Sequence, residues 1–191
     1  MNITREQLLL YAITDRSWLK GETLYEQVEK ALKGGVTLVQ LREKELSELE
    51  FEAEGRSLLE LCHRYRVPLI INDNVELAER IGADGVHVGQ SDMELTRARE
   101  ILGTDKIIGV TAKTIEQAQA AEKAGADYLG SGAVFGTSTK KDARPMTMEQ
   151  LQAICASVSI PVVAIGGICL DNIEKLKGSG AVGAAIVSGI F

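Results

Sequence analysis

This sequence is poor in cysteine and proline, has a single tryptophan and contains no long apolar run. Its three cysteines, Cys62, Cys155 and Cys169, are odd in number and show no C-x-x-C spacing, which argues against a disulfide framework and against a zinc site. They read as buried free thiols. No uninterrupted apolar stretch approaches the roughly 20 residues of a membrane span, and the start Met-Asn-Ile-Thr-Arg-Glu has neither the basic end nor the apolar block of a secretory signal. The expectation is a cytoplasmic protein with no membrane partner. Positive charge is not in excess either: 21 Lys and Arg stand against 27 Asp and Glu, a formal net charge of −6, which disfavours nucleic acid. Any anion site must be a local cluster. Finally, no Ser/His/Asp or Cys/His arrangement suggests a nucleophilic triad. His63 lies in a polar helical segment, His87 reads as a packed, hydrogen-bonded lining residue, and Trp18 has no assignable role.

What is present is a single repeating pattern over 191 residues, enough for one well-packed domain, 1–191. With 45% hydrophobic and 25% charged residues, and 19 Gly against 3 Pro, the chain reads as a compact body with many tight turns. Short β-branched runs alternate with amphipathic segments throughout, which is βα repetition. Candidate strands are 9–14, 36–41, 68–72, 85–88, 106–110, 127–131, 161–165 and 181–187. Capping boxes announce helices at Thr23/Glu26, Ser47/Glu50, Thr114/Gln117, Thr147/Gln150 and Asp171/Glu174. Gly34, Gly82, Gly103, Gly125 and Gly178 mark helix ends, where a left-handed cap favours glycine. Eight strands this apolar, joined by right-handed connections, favour a closed (β/α)8 TIM barrel over an open doubly wound sheet. After the eighth strand the sequence stops at Phe191, so the last helix is expected to be missing. Either a tail lies beyond the given sequence, or another surface covers 181–186.

In such a barrel the site lies at the C-terminal strand ends, and the unusual polar residues of this chain fall there. Gln40, Arg42 and Lys44 share one side of an extended chain, while Leu41, Glu43 and Glu45 take the other. A solvated loop is the plain alternative for Arg42 and Lys44. A row pointing one way favours an anion site instead, because an Arg fork with a Lys point charge suits a diphosphate. Asp73 and Asp92 could each simply cap a helix. Their neighbours Arg42, Lys44 and Lys140 suggest a further role, since a diphosphate leaving group commonly needs Mg²⁺ held by one or two carboxylates and phosphate oxygens. Asn72 offers a neutral donor beside Asp73. The run Gly136-Thr-Ser-Thr-Lys-Lys141 reads as a phosphate cradle or a solvent loop, with Gly166-Gly167 and Val187-Ser188 completing a second anion site.

Taken in order, the strings Tyr11-Ala-Ile-Thr-Asp15, Val39-Gln-Leu-Arg-Glu-Lys44, Leu69-Ile-Ile-Asn-Asp73, Gly85-Val-His-Val-Gly-Gln-Ser-Asp92, Ile108-Gly-Val-Thr111, Val134-Phe-Gly-Thr-Ser-Thr-Lys140, Ala164-Ile-Gly-Gly167 and Ile186-Val-Ser188 closely resemble the thiamine-phosphate synthase family over nearly the whole chain. The resemblance implies a transferase that joins a pyrimidine, carried as its methyl diphosphate, to a thiazole phosphate, giving thiamine monophosphate and diphosphate. By that resemblance Gln40, Leu41, Arg42, Glu43, Lys44, Asn72, Thr111 and Lys140 hold the pyrimidine diphosphate. Thr137, Ser138, Thr139, Gly167, Val187 and Ser188 hold the thiazole phosphate, and Asp73 and Asp92 hold Mg²⁺. The family mechanism, as the resemblance implies it, lets diphosphate leave first and the thiazole nitrogen capture the resulting pyrimidine-methyl cation. Arg42, Lys44 and Lys140 would then stabilise the leaving group, with no protein nucleophile needed.

Thr111 stands where the family usually has Ser, which keeps the hydroxyl. Lys113 stands where His is frequent, which leaves its role unassigned. Alternative readings are a thiazole tautomerase-like paralogue, a non-catalytic binder of thiamine precursors and a phosphosugar isomerase. The first lacks the paired aspartates, the second would keep the phosphate loops without turnover, and the third would want strand-end carboxylates with a His. Self-association into a homo-oligomer is left open by the sequence.

Overall fold

A computed structural model describes residues 2–19, 21–136 and 145–191. Eight parallel strands close into a barrel in chain order: β1 (Leu10–Ile13), β2 (Leu38–Leu41), β3 (Leu69–Asn72), β4 (Gly85–Val88), β5 (Ile107–Thr111), β6 (Tyr128–Gly132), β7 (Val162–Ile165) and β8 (Gly183–Ile186). Closure is made by β1, which pairs with β2 on one side and β8 on the other. Outside lie α1 (Leu24–Lys33), α2 (Glu48–Arg64), α3 (Val75–Ile81), α4 (Leu95–Leu102), α5 (Ile115–Lys123) and α6 (Met148–Ser157). Each expected strand is present, and β4 has the expected bounds. β5 and β6 keep their expected length one residue further on, and the other strands are shorter, because turns claim residues at their ends. The Val36 amide, for instance, donates to Ala31 O and belongs to the turn that ends α1.

Capping chemistry explains where the helices begin. At Thr23, Ser47 and Thr147 both arms of the box are made. At Thr114 only one is, because the Gln117 side chain accepts from the Lys113 amide instead. The box expected at Asp171/Glu174 does not form. That segment is only a 3₁₀ turn, Ile173–Leu176, and it is preceded by Asn172. Gly178 and Gly180 follow with φ of 79° and 88°, which leaves too little regular chain for an α-helix. Past β8, Ile190 and Phe191 turn back over Val187 and pack on the outer core.

Strand alternation sorts side chains into two cores. Tyr11, Leu38, Ile70, Ile107, Tyr128 and Val163 fill the barrel. Val39, Leu41, Leu69 and Ile71 point outward to meet Leu58, Leu61 and Leu77 of the helices. Among the described residues, no helix is long and apolar enough to cross a membrane.

Candidate active site

A cavity of about 170 Å³ opens at the C-terminal end of the barrel, and all eight strands or the loops after them reach its lining. On β2 the parity expected from sequence holds, with Leu38 inside the barrel and Gln40 and Arg42 on the cavity wall. The guanidinium of Arg42 is mostly buried, and its Nη1 stands 3.5 Å from Asp15 Oδ2. That single contact is too long for a closed bidentate pair, so an incoming anion competes with a weak partner. The Arg42 amide donates to Thr14 Oγ1 at 3.0 Å, which ties the end of β2 to the end of β1.

The remaining residues of this segment separate. Leu41 is fully buried in the outer core, and the Glu43 side chain is 3% exposed in a cluster with Arg16 and Glu54 on the far side of the strand. Arg16 Nε donates to Glu43 Oε2 at 2.9 Å, and the same guanidinium also holds Glu54. Burial, helped by the Glu54 carboxylate and opposed by Arg16, pushes the Glu43 carboxyl up to about 7. Neither side chain lines the cavity, which leaves only their backbone to a ligand there. Lys44 is exposed and also lies outside the cavity lining.

Asn72, Thr111, Gly167, Val187 and Ser188 all line the cavity. So does Lys113, whose exposed amine adds a cation the sequence left unassigned. Gly167 has φ of 64°, and a Cβ there would sit 2.1 Å from Gly136 O, so only glycine lets the loops after β6 and β7 meet. Thr137, Ser138, Thr139 and Lys140 lie outside the described residues.

Asp73 and Asp92 are exposed at the ends of the neighbouring strands β3 and β4. Neither caps the following helix, which corrects the simpler alternative. Asn74 caps α3 through the Leu77 amide, and Glu94 precedes α4 with no side-chain cap bond. Asp73 has φ of 61°, rare for a non-glycine, and its amide donates to His87 O. Its Oδ2 accepts from Asn72 Nδ2 at 2.6 Å, and Asp92 Oδ2 accepts from the Gly89 amide at 2.6 Å. Two carboxylates held by local bonds and open to solvent suit a hard cation. Among the described residues, no three or more His, Cys, Asp or Glu gather where they could hold a metal. A Mg²⁺ here would therefore draw the rest of its shell from phosphate and water, as that ion ordinarily does.

Sequence reasoning missed Tyr11, Tyr128 and Asp15. Tyr11 and Tyr128 sit at inward positions of β1 and β6, and tyrosine at the inward parity that Leu38, Ile70 and Val163 fill elsewhere was the available signal. His87 bonds both Tyr128 and Thr111 beneath the cavity, as a hydrogen-bonded lining residue.

A closed parallel barrel whose strand ends gather Arg, Lys, Asn and a Gly-Gly turn around one cavity defines a (β/α)8-barrel enzyme with cationic and amide side chains at its mouth. The chain belongs to the thiamine monophosphate synthase family, whose TMP-TENI model matches residues 10–190. It is 54% identical over 182 residues to the thiamine-phosphate synthase of Clostridium acetobutylicum, covering 95% of this chain and 86% of that one. With the thiamine-phosphate synthase of Ruminiclostridium cellulolyticum it shares 50% identity, over 95% and 87% of the two chains. The solved thiamine phosphate pyrophosphorylase of Pyrococcus furiosus superposes with a TM-score of 0.88 at 43% identity, covering 96% of this chain and 87% of that one. An N-acetylmannosamine-6-phosphate 2-epimerase from Clostridium perfringens, at 16% identity and TM-score 0.70, shares the fold alone. The chain is thus a transferase of thiamine biosynthesis, similar to thiamine-phosphate synthases over most of its length.

Proposed function

We propose that this enzyme condenses 4-amino-2-methyl-5-(diphosphooxymethyl)pyrimidine with a thiazole phosphate, forming thiamine monophosphate and releasing diphosphate. The observation that carries this reading is the single cavity that Gln40, Arg42, Asn72 and Thr111 share with Gly167, Val187 and Ser188. One wall offers a guanidinium and amides for a diphosphate, and the other a Gly-Gly turn and a hydroxyl for a second phosphate. Arg42 binds and orients the leaving group, joined by Lys140 from the loop after β6 and by Lys44 extending from the rim outside the cavity lining, and Asn72 donates to the same oxygens. Asp73 and Asp92 would hold Mg²⁺, which when bound neutralises charge on the departing diphosphate. Thr137, Ser138 and Thr139 join Gly167, Val187 and Ser188 around the thiazole phosphate.

The reaction is read as dissociative: the C–O bond to diphosphate breaks, and the thiazole nitrogen then forms the new C–N bond. Positioning and charge stabilisation are what such a step asks of the protein, and no side chain need act as a nucleophile. The work is assigned to the cytoplasm, with small phosphorylated molecules as partners. Purified protein given Mg²⁺ and both precursors should release diphosphate and thiamine monophosphate in equal amounts. Absence of both products at high enzyme concentration would defeat the proposal.

A further inference from the structure

Five polar side chains from five strands form one unbroken hydrogen-bonded row through the barrel. Gln40 Nε2 lies 2.5 Å from Tyr11 Oη, which lies 2.8 Å from Tyr128 Oη. Tyr128 Oη is 3.0 Å from His87 Nδ1, and His87 Nε2 is 3.0 Å from Thr111 Oγ1. Both ends of the row, Gln40 and Thr111, line the cavity. Tyr11 and His87 also touch its floor, but the two phenols are closed off from water: Tyr11 and Tyr128 are 1% and 0% exposed, and burial holds both well above their ordinary range. Space for this row is reserved by Gly109, where a Cβ would lie 2.1 Å from Tyr128 Cζ. The rings meet edge to face, with Tyr11 and Tyr128 centroids 5.9 Å apart at 74°.

Each phenol has one proton to give, and burying that proton without an acceptor is unfavourable. With the Gln40 amide nitrogen on Tyr11, one order uses every proton. Gln40 donates to Tyr11, Tyr11 to Tyr128, and Tyr128 to His87 Nδ1, so the ring donates from Nε2 to Thr111. Run the other way, Tyr11 would accept from both neighbours, and its own O–H would have no acceptor in the row. Direction at one wall of the cavity therefore sets what the hydroxyl at the opposite wall offers.

We propose that Tyr11, Tyr128 and His87 are positioning residues, which together turn the Thr111 hydroxyl into a fixed hydrogen-bond donor aimed at an acceptor of the bound pyrimidine diphosphate. This rests on the substrate reading above for its ligand but not for its geometry. An ordinary threonine rotor must be frozen each time it binds; here the row holds it in advance.

The test joins spectroscopy to a kinetic cycle. In protein labelled with ¹⁵N-histidine, in a His63→Gln background that leaves one histidine of the two, His87 should show its proton on Nε2 and none on Nδ1. Tyr128→Phe should mix the tautomers and lower kcat/KM for the pyrimidine diphosphate by about tenfold, leaving KM for the thiazole phosphate within about twofold. On a Thr111→Ala background the same change should cost less than about twofold, because the row then has nothing to orient. Tyr11→Phe gives a second break if Tyr128→Phe does not fold. A proton on Nδ1 in the parent, or an equal loss from Tyr128→Phe with and without Thr111, would overturn the inference. An inactive parent with the Nε2 signal intact would overturn the substrate reading and leave the row standing.

Discussion

The two cores of this barrel are built to different rules. Between strands and helices, residues such as Leu41, Leu58, Leu61, Ile71 and Leu77 form a belt made of apolar side chains. Inside the strands, Tyr11 and Tyr128 share the filling with Leu38, Ile70 and Val163, and a polar row crosses them. The outer belt has only to exclude water, so hydrophobic area decides it. The inner filling must also end in a cavity, so its top layer uses polar groups, each bonded to the next. The same strand serves both: on β2, Leu41 faces the belt while Gln40 and Arg42 face the cavity.

The largest effect should come from the belt. Leu58→Ala removes a fully buried side chain and should destabilise by about 2–5 kcal/mol, a fall in Tm of roughly 5–15 °C in thermal unfolding, while turnover per folded molecule stays near the parent's. A loss of turnover without loss of stability would erase the distinction between the cores. Arg42→Ala, at the mouth, should behave the opposite way. Turnover falls by at least about tenfold, roughly 1.4 kcal/mol, with little change in Tm. Parent rates for both Arg42→Ala and Asp92→Ala would dissolve the site assignment.

A smaller effect belongs to Glu43, where the cores meet the loops. Its carboxyl is raised to about 7 in the folded protein against an ordinary 4.5, so between those values the folded state binds the extra proton and stability falls as pH rises. Glu43→Gln should flatten that fall between pH 5 and 8 and give a higher Tm than the parent at pH 8. An unchanged pH slope in thermal unfolding would count against the buried Arg16–Glu43–Glu54 cluster. The smallest effect is expected at His63, half exposed and paired with Asp84 at the surface. His63→Gln should leave both rate and stability within error, since such exposed pairs contribute about 0–1 kcal/mol.

Much of this was legible in the chain. Parity alone put Gln40 and Arg42 on one side and Leu41 and Glu43 on the other, because an extended backbone gives it no choice. Four of the five expected boxes begin helices, since a hydroxyl three residues ahead of a Glu or Gln satisfies local donors whatever lies around it. The fifth failed because Asn172 spends its amide on Cys169 and Gly167, a choice made by the loop after β7. Asp73 and Asp92 looked like possible caps for the same local reason. Only the fold showed Asn74 in one of those places and the Gly89 amide bonded to the other carboxylate.

By itself, then, the sequence determined the repeating βα order, the turns and the side each strand residue faces, because these follow from periodicity and short-range bonding. The tertiary structure decided what shares a wall. Tyr11, Tyr128 and His87 lie far apart along the chain, and only the closure of β1 onto β8 and the stagger of the strands bring their polar atoms within 3.0 Å. Contacts of that kind depend on three-dimensional register, which no local pattern encodes.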